Sequence, residues 1–186
     1  MHPSDPVTRR TIIKAGVALI ASTAAPAFAY PRQNYRSVEA IRSLHLHNIH
    51  TGESIKTVYW EKGSYNTEAI KDIAYILRDY RTNDMYDIEP RLLDVISHMH
   101  RLLGSHKPYE VISGYRSPRT NEMLYEHSKG VNPNSLHMYG KAIDVRLNDR
   151  GLSSLRHTAM AMRQGGVGYY PASGFVHIDV GPVKHW

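Results

Sequence analysis

Two stretches of alternating residues carry side chains that can bind a metal ion or move a proton. Around Asp144 the alternation predicts a strand with Val145 on an apolar face and the carboxylate on the other face. The stretch 175–180 repeats this pattern, with His177 and Asp179 together on its polar face. Each strand therefore has one apolar face that can pack into a core and one polar face that can carry a metal or catalytic site.

A third candidate, His137, lies seven residues before Asp144 and is separated from it by Gly140. This spacing is wrong for two ligands on one helix, which stand three or four residues apart. It suits a loop histidine that folds back onto a strand, with the glycine allowing the turn. Together with His177, the three side chains match a catalytic zinc site, in which three protein ligands leave one position open. A simple ion pair on the strand surface is the alternative.

Composition narrows the kinds of site. The chain has 186 residues, 41% of them hydrophobic and 22% charged, which fits one globular domain. It has no cysteine, so any metal must be held by His, Asp or Glu. The formal net charge is +6, but the positive residues are scattered and no recognition motif accompanies them. The sequence therefore disfavours nucleic acid as a partner.

The first 29 residues read as an export signal. Arg9 and Arg10 precede an apolar stretch at 15–25, and the small-x-small site 27–29 follows, an order that resembles a bacterial twin-arginine signal. The apolar stretch is shorter than the ~20 residues that span a bilayer. We therefore expect handling by the twin-arginine export machinery and a periplasmic or otherwise exported protein without a stable membrane span after signal removal. An uncut signal that serves as an anchor and a flexible helix of a cytosolic protein are the alternatives.

Periodicity and capping residues predict how the rest of the chain positions these side chains. We expect an extended lead-in over 30–42 and one α+β domain over 43–186, with a central antiparallel sheet flanked by helices. The predicted strands are 44–49, 55–60, 109–113, 141–147 and 175–180, and the predicted helices are 66–80, 90–103, 120–127 and 153–163. Asn66 or Thr67 is the expected cap of the first helix, and Ser153 or Ser154 is the expected cap of the last. The glycines at 165, 166 and 168 predict a tight connection.

Three segments resemble a known family. The run 135–144 reads Ser-x-His-x-x-Gly-x-Ala-x-Asp, 113–117 reads Ser-Gly-Tyr-Arg-Ser, and 168–181 contains Gly-Tyr-Tyr-Pro and Phe-Val-His-Ile-Asp-Val-Gly. In this order they resemble the M15 group of zinc peptidases, and most of all its exported murein endopeptidase K family. The resemblance covers 43–186. It implies a D-Ala-D-Ala metallopeptidase-like fold, one Zn²⁺ per chain, and hydrolysis of peptide cross-links in peptidoglycan, including links between two diaminopimelate residues.

The resemblance also assigns roles to residues. It makes His137, Asp144 and His177 the zinc ligands, and it makes Arg116 the group that holds the substrate or stabilises the charged intermediate. A structural arginine that caps a loop is the alternative for Arg116. The remaining candidates for the substrate groove are Ser113, Tyr115 and Asn121, which could equally serve turn and helix-start chemistry. The aromatic residues Tyr169, Tyr170 and Trp186 are expected to pack.

The general base is the point where the chain departs from the family pattern. Related enzymes carry a glutamate three residues before the last histidine ligand or a histidine two residues before it, and these positions are Gly174 and Phe175 here. Asp179 is the candidate base, because it lies on the same strand face as His177. Orientation of a ligand histidine is the equal alternative for Asp179, and His127 and His185 are weaker candidates.

Three other functions stay open at this stage. Without the usual base, the domain could bind peptidoglycan without cutting it. A carboxypeptidase would share the site and differ in the shape of its groove. The pair His177 and Asp179 also matches the His-x-Asp of non-haem iron oxygenases, although only seven residues follow Asp179.

Overall fold

A computed structural model describes residues 41–128 and 130–186. They form an α+β domain with four α-helices and one mixed sheet of eight strands. The strands are β1 (Ile41–Asn48), β2 (Ser54–Glu61), β3 (Ser64–Tyr65), β4 (Tyr109–Ser113), β5 (Ala142–Arg146), β6 (Gly166–Tyr170), β7 (Phe175–Asp179) and β8 (Lys184–His185). The helices are α1 (Thr67–Ile76), α2 (Pro90–Leu102), α3 (Pro118–His127) and α4 (Leu152–Met162), with a short 3₁₀ helix at Leu136–Tyr139. The predicted signal and the first eleven residues of the predicted lead-in lie outside the described residues.

The sheet order is β3-β2-β1-β4-β5-β7-β6-β8. Five of the seven pairings within this sheet are antiparallel, and β1–β4 and β6–β8 are parallel. The predicted antiparallel sheet is therefore mostly correct, but two of its pairings are parallel. The opening hairpin is confirmed, with β1 starting at Ile41, two residues before the predicted start of the domain. Among the described residues, no helix is long and apolar enough to cross a bilayer.

Local signals explain most of the helix bounds. The side chain of Asn66 accepts a hydrogen bond from the Ala69 amide and caps α1, and Pro90 opens α2. Helix α1 ends at Ile76 rather than near residue 80, because the carbonyl of Leu77 accepts a hydrogen bond from the Tyr115 amide at 2.6 Å. A contact with a distant segment thus replaces the last predicted turn of the helix.

Two local predictions at the C-terminal end were wrong. Helix α4 is capped by the backbone of Gly151 and not by a serine side chain. The glycine-rich stretch that predicted a connection is strand β6, paired with both β7 and β8. Gly166 and Gly168 lie where other side chains occupy the space that a Cβ would need, so these glycines reflect close packing and not a turn.

The position of the hydrophobic core explains why the candidate site residues on the strands face away from the helices. Buried strand residues such as Ile143, Val145, Val176 and Ile178 join the apolar sides of the helices in one cluster. Because strand side chains alternate between faces, Asp144 and its neighbours on β7 point to the opposite face of the sheet. This face carries the candidate site.

Candidate metal centre

Three side chains of types that can bind a metal ion meet at the middle of the sheet. Asp144 on β5 lies directly opposite His177 on antiparallel β7, so both side chains point to the same face. His137 lies in the 3₁₀ helix, and Gly140 turns the chain back into β5 with a φ of +61°. A Cβ at Gly140 would also lie 2.1 Å from the carbonyl oxygen of Asp87, so the turn depends on glycine in both conformation and space.

The distances among the three side chains fit a single cation. His137 Nε2 lies 3.2 Å from His177 Nδ1 and 3.3 Å from Asp144 Oδ1, and His177 Nδ1 lies 2.8 Å from the same carboxylate oxygen. A tetrahedral zinc with ligands at about 2.0–2.2 Å holds neighbouring ligand atoms about 3.3 Å apart. These three residues form the one group of this kind found in the part of the chain that the structure describes.

The second nitrogen of each histidine is engaged elsewhere. His137 Nδ1–H donates to the carbonyl of Gly114 at 2.7 Å, since a carbonyl can only accept. His177 Nε2–H donates to Asp179 Oδ2 at 3.2 Å. Each contact turns the other ring nitrogen toward the common centre, and in a neutral imidazole that nitrogen carries a lone pair. A carbonyl or carboxylate partner on the far nitrogen is the arrangement that orients metal-binding histidines in proteins.

Asp179 is buried and held by the backbone. Its Oδ1 accepts hydrogen bonds from the amides of Gly166 and Gly181, both at 2.8 Å, and its side chain is 2% exposed. A Cβ at Gly166 would lie 2.3 Å from Asp179 Oδ2. Burial alone would raise the pKa of Asp179, but the hydrogen bonds from His177 and the two amides outweigh it and lower that pKa. The carboxylate is therefore anionic, and both of its oxygens have donors.

The metal-free cluster has strongly displaced pKa values. Burial would raise the pKa of Asp144, but the charge and hydrogen bonds of His137 and His177 hold it well below its ordinary range. Burial lowers the pKa of His137 more than Asp144 raises it. For His177, burial acts downward, but the bonds to Asp144 and Asp179 outweigh it and raise the pKa to about 9. A metal that binds here must displace the extra proton of His177, so metal affinity falls as the pH falls.

Arg116 lies at the edge of this cluster. Its Nη2 is 3.5 Å from Asp144 Oδ2, and its side chain is 11% exposed. Nη1 donates to Asn121 Oδ1 at 3.2 Å and Nη2 to Ser113 Oγ at 3.4 Å. Its Nε is buried without a hydrogen-bond partner among the described residues. Burial lowers the pKa of Arg116 and Asp144 opposes this, but a guanidinium stays charged at neutral pH.

The other predicted groove residues have mainly internal contacts. Asn121 is buried, and its amide donates to the carbonyls of Asn132 and Pro133. Tyr115 is 8% exposed and stacks on Tyr86 with ring centroids 5.1 Å apart. Asn121 thus supports Arg116 and the loop before the 3₁₀ helix, while the ring of Tyr115 packs beside the site.

Some neighbours of the site escaped the sequence-based prediction. The Gly114 carbonyl and the Gly166 amide act through their backbones, which no side-chain pattern can reveal. Trp186 was expected to pack, yet it is 48% exposed and its ring centroid lies 5.4 Å from that of His177. The weaker base candidates His127 and His185 are exposed, and the ring of His127 bonds to the carbonyl of Met123 on its own helix.

An α+β domain that points two histidines and one aspartate at one centre, with an arginine beside them, fits the class of hydrolases that use a single metal ion. The family model of M15 peptidases described as "Peptidoglycan L,D-endopeptidase MepK" matches residues 36–186. The chain belongs to this family and is an enzyme, a peptidoglycan endopeptidase.

Individual relatives agree with this family. The chain is 43% identical over 187 residues to the "Peptidoglycan L,D-endopeptidase MepK" of Escherichia coli, with 100% of both chains covered. The protein of the same name from Shigella flexneri matches to the same extent. The "Probable peptidoglycan L,D-endopeptidase MepK" of Haemophilus influenzae is 40% identical over 146 residues, which cover 78% of each chain.

Proposed function

We propose that this chain is an exported zinc enzyme that hydrolyses an L,D peptide bond in the cross-links of peptidoglycan. The observation that carries the proposal is the convergence of His137 Nε2, Asp144 Oδ1 and His177 Nδ1 within 3.3 Å of one another. The names of the relatives supply the class of bond. A link between two diaminopimelate residues has this stereochemistry and agrees with the expectation from the sequence motifs.

In this proposal His137, Asp144 and His177 hold one Zn²⁺. The donor set fits, because two neutral imidazoles and one carboxylate leave a fourth position open in a tetrahedral site. When bound, zinc supplies a Lewis acid that polarises a carbonyl and lowers the pKa of a water molecule to about 7. The chain itself contributes orientation, since the Gly114 carbonyl and the Asp179 carboxylate fix the far nitrogen of each imidazole.

Two roles were open for Asp179, and its contacts favour the positioning role. A general base needs a carboxylate oxygen that can reach the attacking water. Here Oδ1 accepts two amide hydrogen bonds and Oδ2 accepts from His177. We therefore propose that Asp179 orients His177 and raises the basicity of its free nitrogen, and that it does not take the proton from water.

Arg116 is the proposed group for negative charge on the substrate. Ser113 and Asn121 hold two of its nitrogens, while its Nε is buried without a partner among the described residues. Its guanidinium stays charged at neutral pH, so it can pair with a substrate carboxylate or with the oxygen that becomes negative during water addition. In this role Ser113 and Asn121 are supports of Arg116 rather than direct substrate contacts.

Export completes the proposal. The substrate lies outside the cytoplasm, which agrees with the twin-arginine signal proposed for residues 1–29 and with a periplasmic location. The proposed partners are the twin-arginine export machinery before processing and the stem and cross-link peptides of peptidoglycan afterwards. Fractionation of cells that carry the wild-type protein or an Arg9→Lys, Arg10→Lys variant tests this part, and an equal periplasmic yield of both would contradict it.

The catalytic part is tested by digestion of purified peptidoglycan with and without added zinc, and the products are read by mass spectrometry. We expect wild-type protein with zinc to release monomers from cross-linked dimers and His177→Ala to release none. His157→Ala is the matched control, because His157 is exposed on α4 and its loss should leave cleavage unchanged. Peptidoglycan binding without cleavage would favour the inactive binding module, and release of single terminal residues would favour a carboxypeptidase.

A further inference from the structure

An aromatic surface lies beside the proposed zinc site and has no part in holding the metal. The indole of Trp186 stands 5.4 Å from the ring of His177, tilted by 45°, and 48% of Trp186 is exposed. Tyr170 and Phe175 continue the surface, with their rings stacked at 4.7 Å. One exposed aromatic side chain is ordinary on a protein surface, but Trp186 is also held in place by several contacts.

Three restraints fix Trp186. Its amide donates to the Val167 carbonyl at 3.2 Å, and its own carbonyl accepts from the Tyr169 amide at 3.0 Å. Its indole Nε1–H donates to the hydroxyl of Tyr170 at 2.7 Å. The backbone and the ring are therefore both held, although 48% of the residue is exposed to solvent. A side chain ordered in advance loses little entropy when a ligand binds to it.

Gly168 provides the space for the indole. It lies directly opposite His177 in the ladder between β6 and β7, so a side chain at this position would share the face of His177. A Cβ there would come within 2.8 Å of both Trp186 Nε1 and the ring of Tyr170. The missing side chain of Gly168 thus allows a residue from beyond β7 to stand next to a proposed ligand. Core packing alone does not account for this arrangement, because the indole is half exposed.

Charge indicates what the surface would bind. Lys184 Nζ lies 5.0 Å from the centroid of the Trp186 ring, and Lys184 is exposed. A group that lies against the exposed part of the indole therefore meets an apolar surface with a positive charge held over the ring. This combination suits an aliphatic chain that ends in a carboxylate. The residues of peptidoglycan stem peptides with acidic side chains have this character.

We propose that Trp186 is a substrate-binding residue. Its exposed part contacts the aliphatic portion of an acidic stem-peptide residue close to the bond that is cut, and Lys184 pairs with the carboxylate of that residue. This inference rests on the proposed function, because the same peptide must lie across the metal centre.

The sequence allows a direct binding measurement. It contains two tryptophans, and the other one, Trp60, packs against Tyr65 on the β2–β3 hairpin. In a Trp60→Phe variant loaded with zinc, all tryptophan emission comes from Trp186. We expect a saturable change in this emission on titration with a free stem tetrapeptide that contains diaminopimelate. A Trp186→Phe variant, which emits from Trp60 alone, should show no change.

Steady-state cleavage of a cross-linked dimer gives the second readout. Trp186→Ala should raise KM about tenfold, the size of effect expected when an aromatic contact that contributes to binding is truncated. It should lower kcat much less and leave the bound zinc at one ion per chain. Gly168→Ala should give a similar change by displacing the indole, and Trp186→Phe should recover part of the loss. Trp60→Phe is the matched control and should match wild type in both constants.

The outcomes separate this inference from the proposed function. The inference alone would be overturned by a combination of three results. Wild type cuts the dimer, the emission of Trp186 does not change when the peptide is added, and Trp186→Ala has the KM of wild type. Loss of zinc in Trp186→Ala would also overturn it, because the ring would then only support the metal site. An emission change that needs the sugar part of a muropeptide would overturn the assignment to the peptide. If wild type cut no cross-link, the proposed function would fail, while a saturable emission change would still support peptide binding at Trp186.

Discussion

Two carboxylates, the partly buried Asp94 and the buried Asp144, lie in polar clusters of different kinds. Asp94 accepts hydrogen bonds from Arg42 at 2.7 Å, from Tyr59 at 3.2 Å and from Tyr65 at 2.8 Å. One cation and two hydroxyl groups thus satisfy one anion. This cluster joins α2 to the first two strands and the short β3, and its donors and acceptors complete one another.

Around Asp144 two imidazole nitrogens converge on one carboxylate oxygen, because His137 Nε2 and His177 Nδ1 lie 3.3 Å and 2.8 Å from Asp144 Oδ1. The two nitrogens lie 3.2 Å apart, and Arg116 keeps a buried Nε without a partner among the described residues. Electron-pair donors that converge at such distances repel one another unless a proton or a cation lies between them. A satisfied cluster therefore indicates a structural role, whereas convergent donors indicate a ligand.

The largest effect is expected from a substitution that breaks the Asp144 cluster. Asp144→Asn keeps the shape of the side chain but removes the charge that a metal requires. We expect kcat/KM for cross-link cleavage to fall about a thousandfold, because a metal contributes several kcal/mol of transition-state stabilisation. Zinc content, measured by mass spectrometry of the dialysed protein, should fall in parallel. A variant that kept its zinc and lost less than about tenfold in rate would contradict this assignment.

The same change at the other carboxylate should act on stability and not on catalysis. Asp94→Asn removes the carboxylate charge that pairs with the buried guanidinium of Arg42, so we expect the free energy of unfolding to fall by about 3 kcal/mol. Urea denaturation measures this change, and kcat/KM of the folded protein should stay at the wild-type value. Asp72→Asn serves as the control, because Asp72 is exposed on α1 and its loss should leave the urea midpoint in place.

Asp179 distinguishes a positioning residue from a catalytic base. If it orients His177, Asp179→Asn should weaken zinc binding about 10–100-fold, as loss of such partners does in other metal sites. Cleavage should then recover when enough zinc is added to saturate the variant. If Asp179 is the base, a fully loaded variant would stay inactive, and this result would return Asp179 to the catalytic role.

The smallest expected effect concerns another buried carboxylate, Asp79. Its Oδ2 accepts from the amide of Ser117 at 2.9 Å and from the hydroxyl of Ser117 at 2.7 Å, which fixes the segment that carries Arg116. Burial acts to raise the pKa of Asp79, but hydrogen bonds from Thr120, Ser117 and Arg81 outweigh it and lower that pKa.

A lowered pKa in the folded state stabilises the protein above the unfolded pKa of Asp79, near 3.8, and this stability is lost as the pH falls through the folded value. Asp79→Asn should therefore cost about 2 kcal/mol at pH 7. The difference from wild type should shrink below about pH 4, because the carboxyl group of Asp79 becomes neutral first in the unfolded and then in the folded wild-type protein. Urea titrations at pH 7 and at pH 3 measure it, and a difference that does not depend on pH would contradict the role of the charge.

Much of this molecule could be predicted from local sequence. The hairpin of β1 and β2, helix α2 from Pro90, and strand β4 follow from side-chain periodicity and from capping residues, which act over a few neighbours. The three convergent residues were likewise visible, because a strand alternates its faces and Gly140 marks the turn between His137 and Asp144. Their roles as zinc ligands remain a prediction of the sequence that the distances support.

The tertiary structure decided what depends on residues far apart in the chain. Strand β6 was missed because its glycines leave room for the Asp179 carboxylate and the Trp186 indole, contacts that no local pattern contains. The positioning role favoured for Asp179 likewise depends on the Gly166 amide, thirteen residues earlier. Sequence by itself determined which side chains could carry the chemistry, because type and spacing are local properties. Only the packing of distant segments decided which atom of each side chain faces the centre, because hydrogen-bond partners are set by the fold.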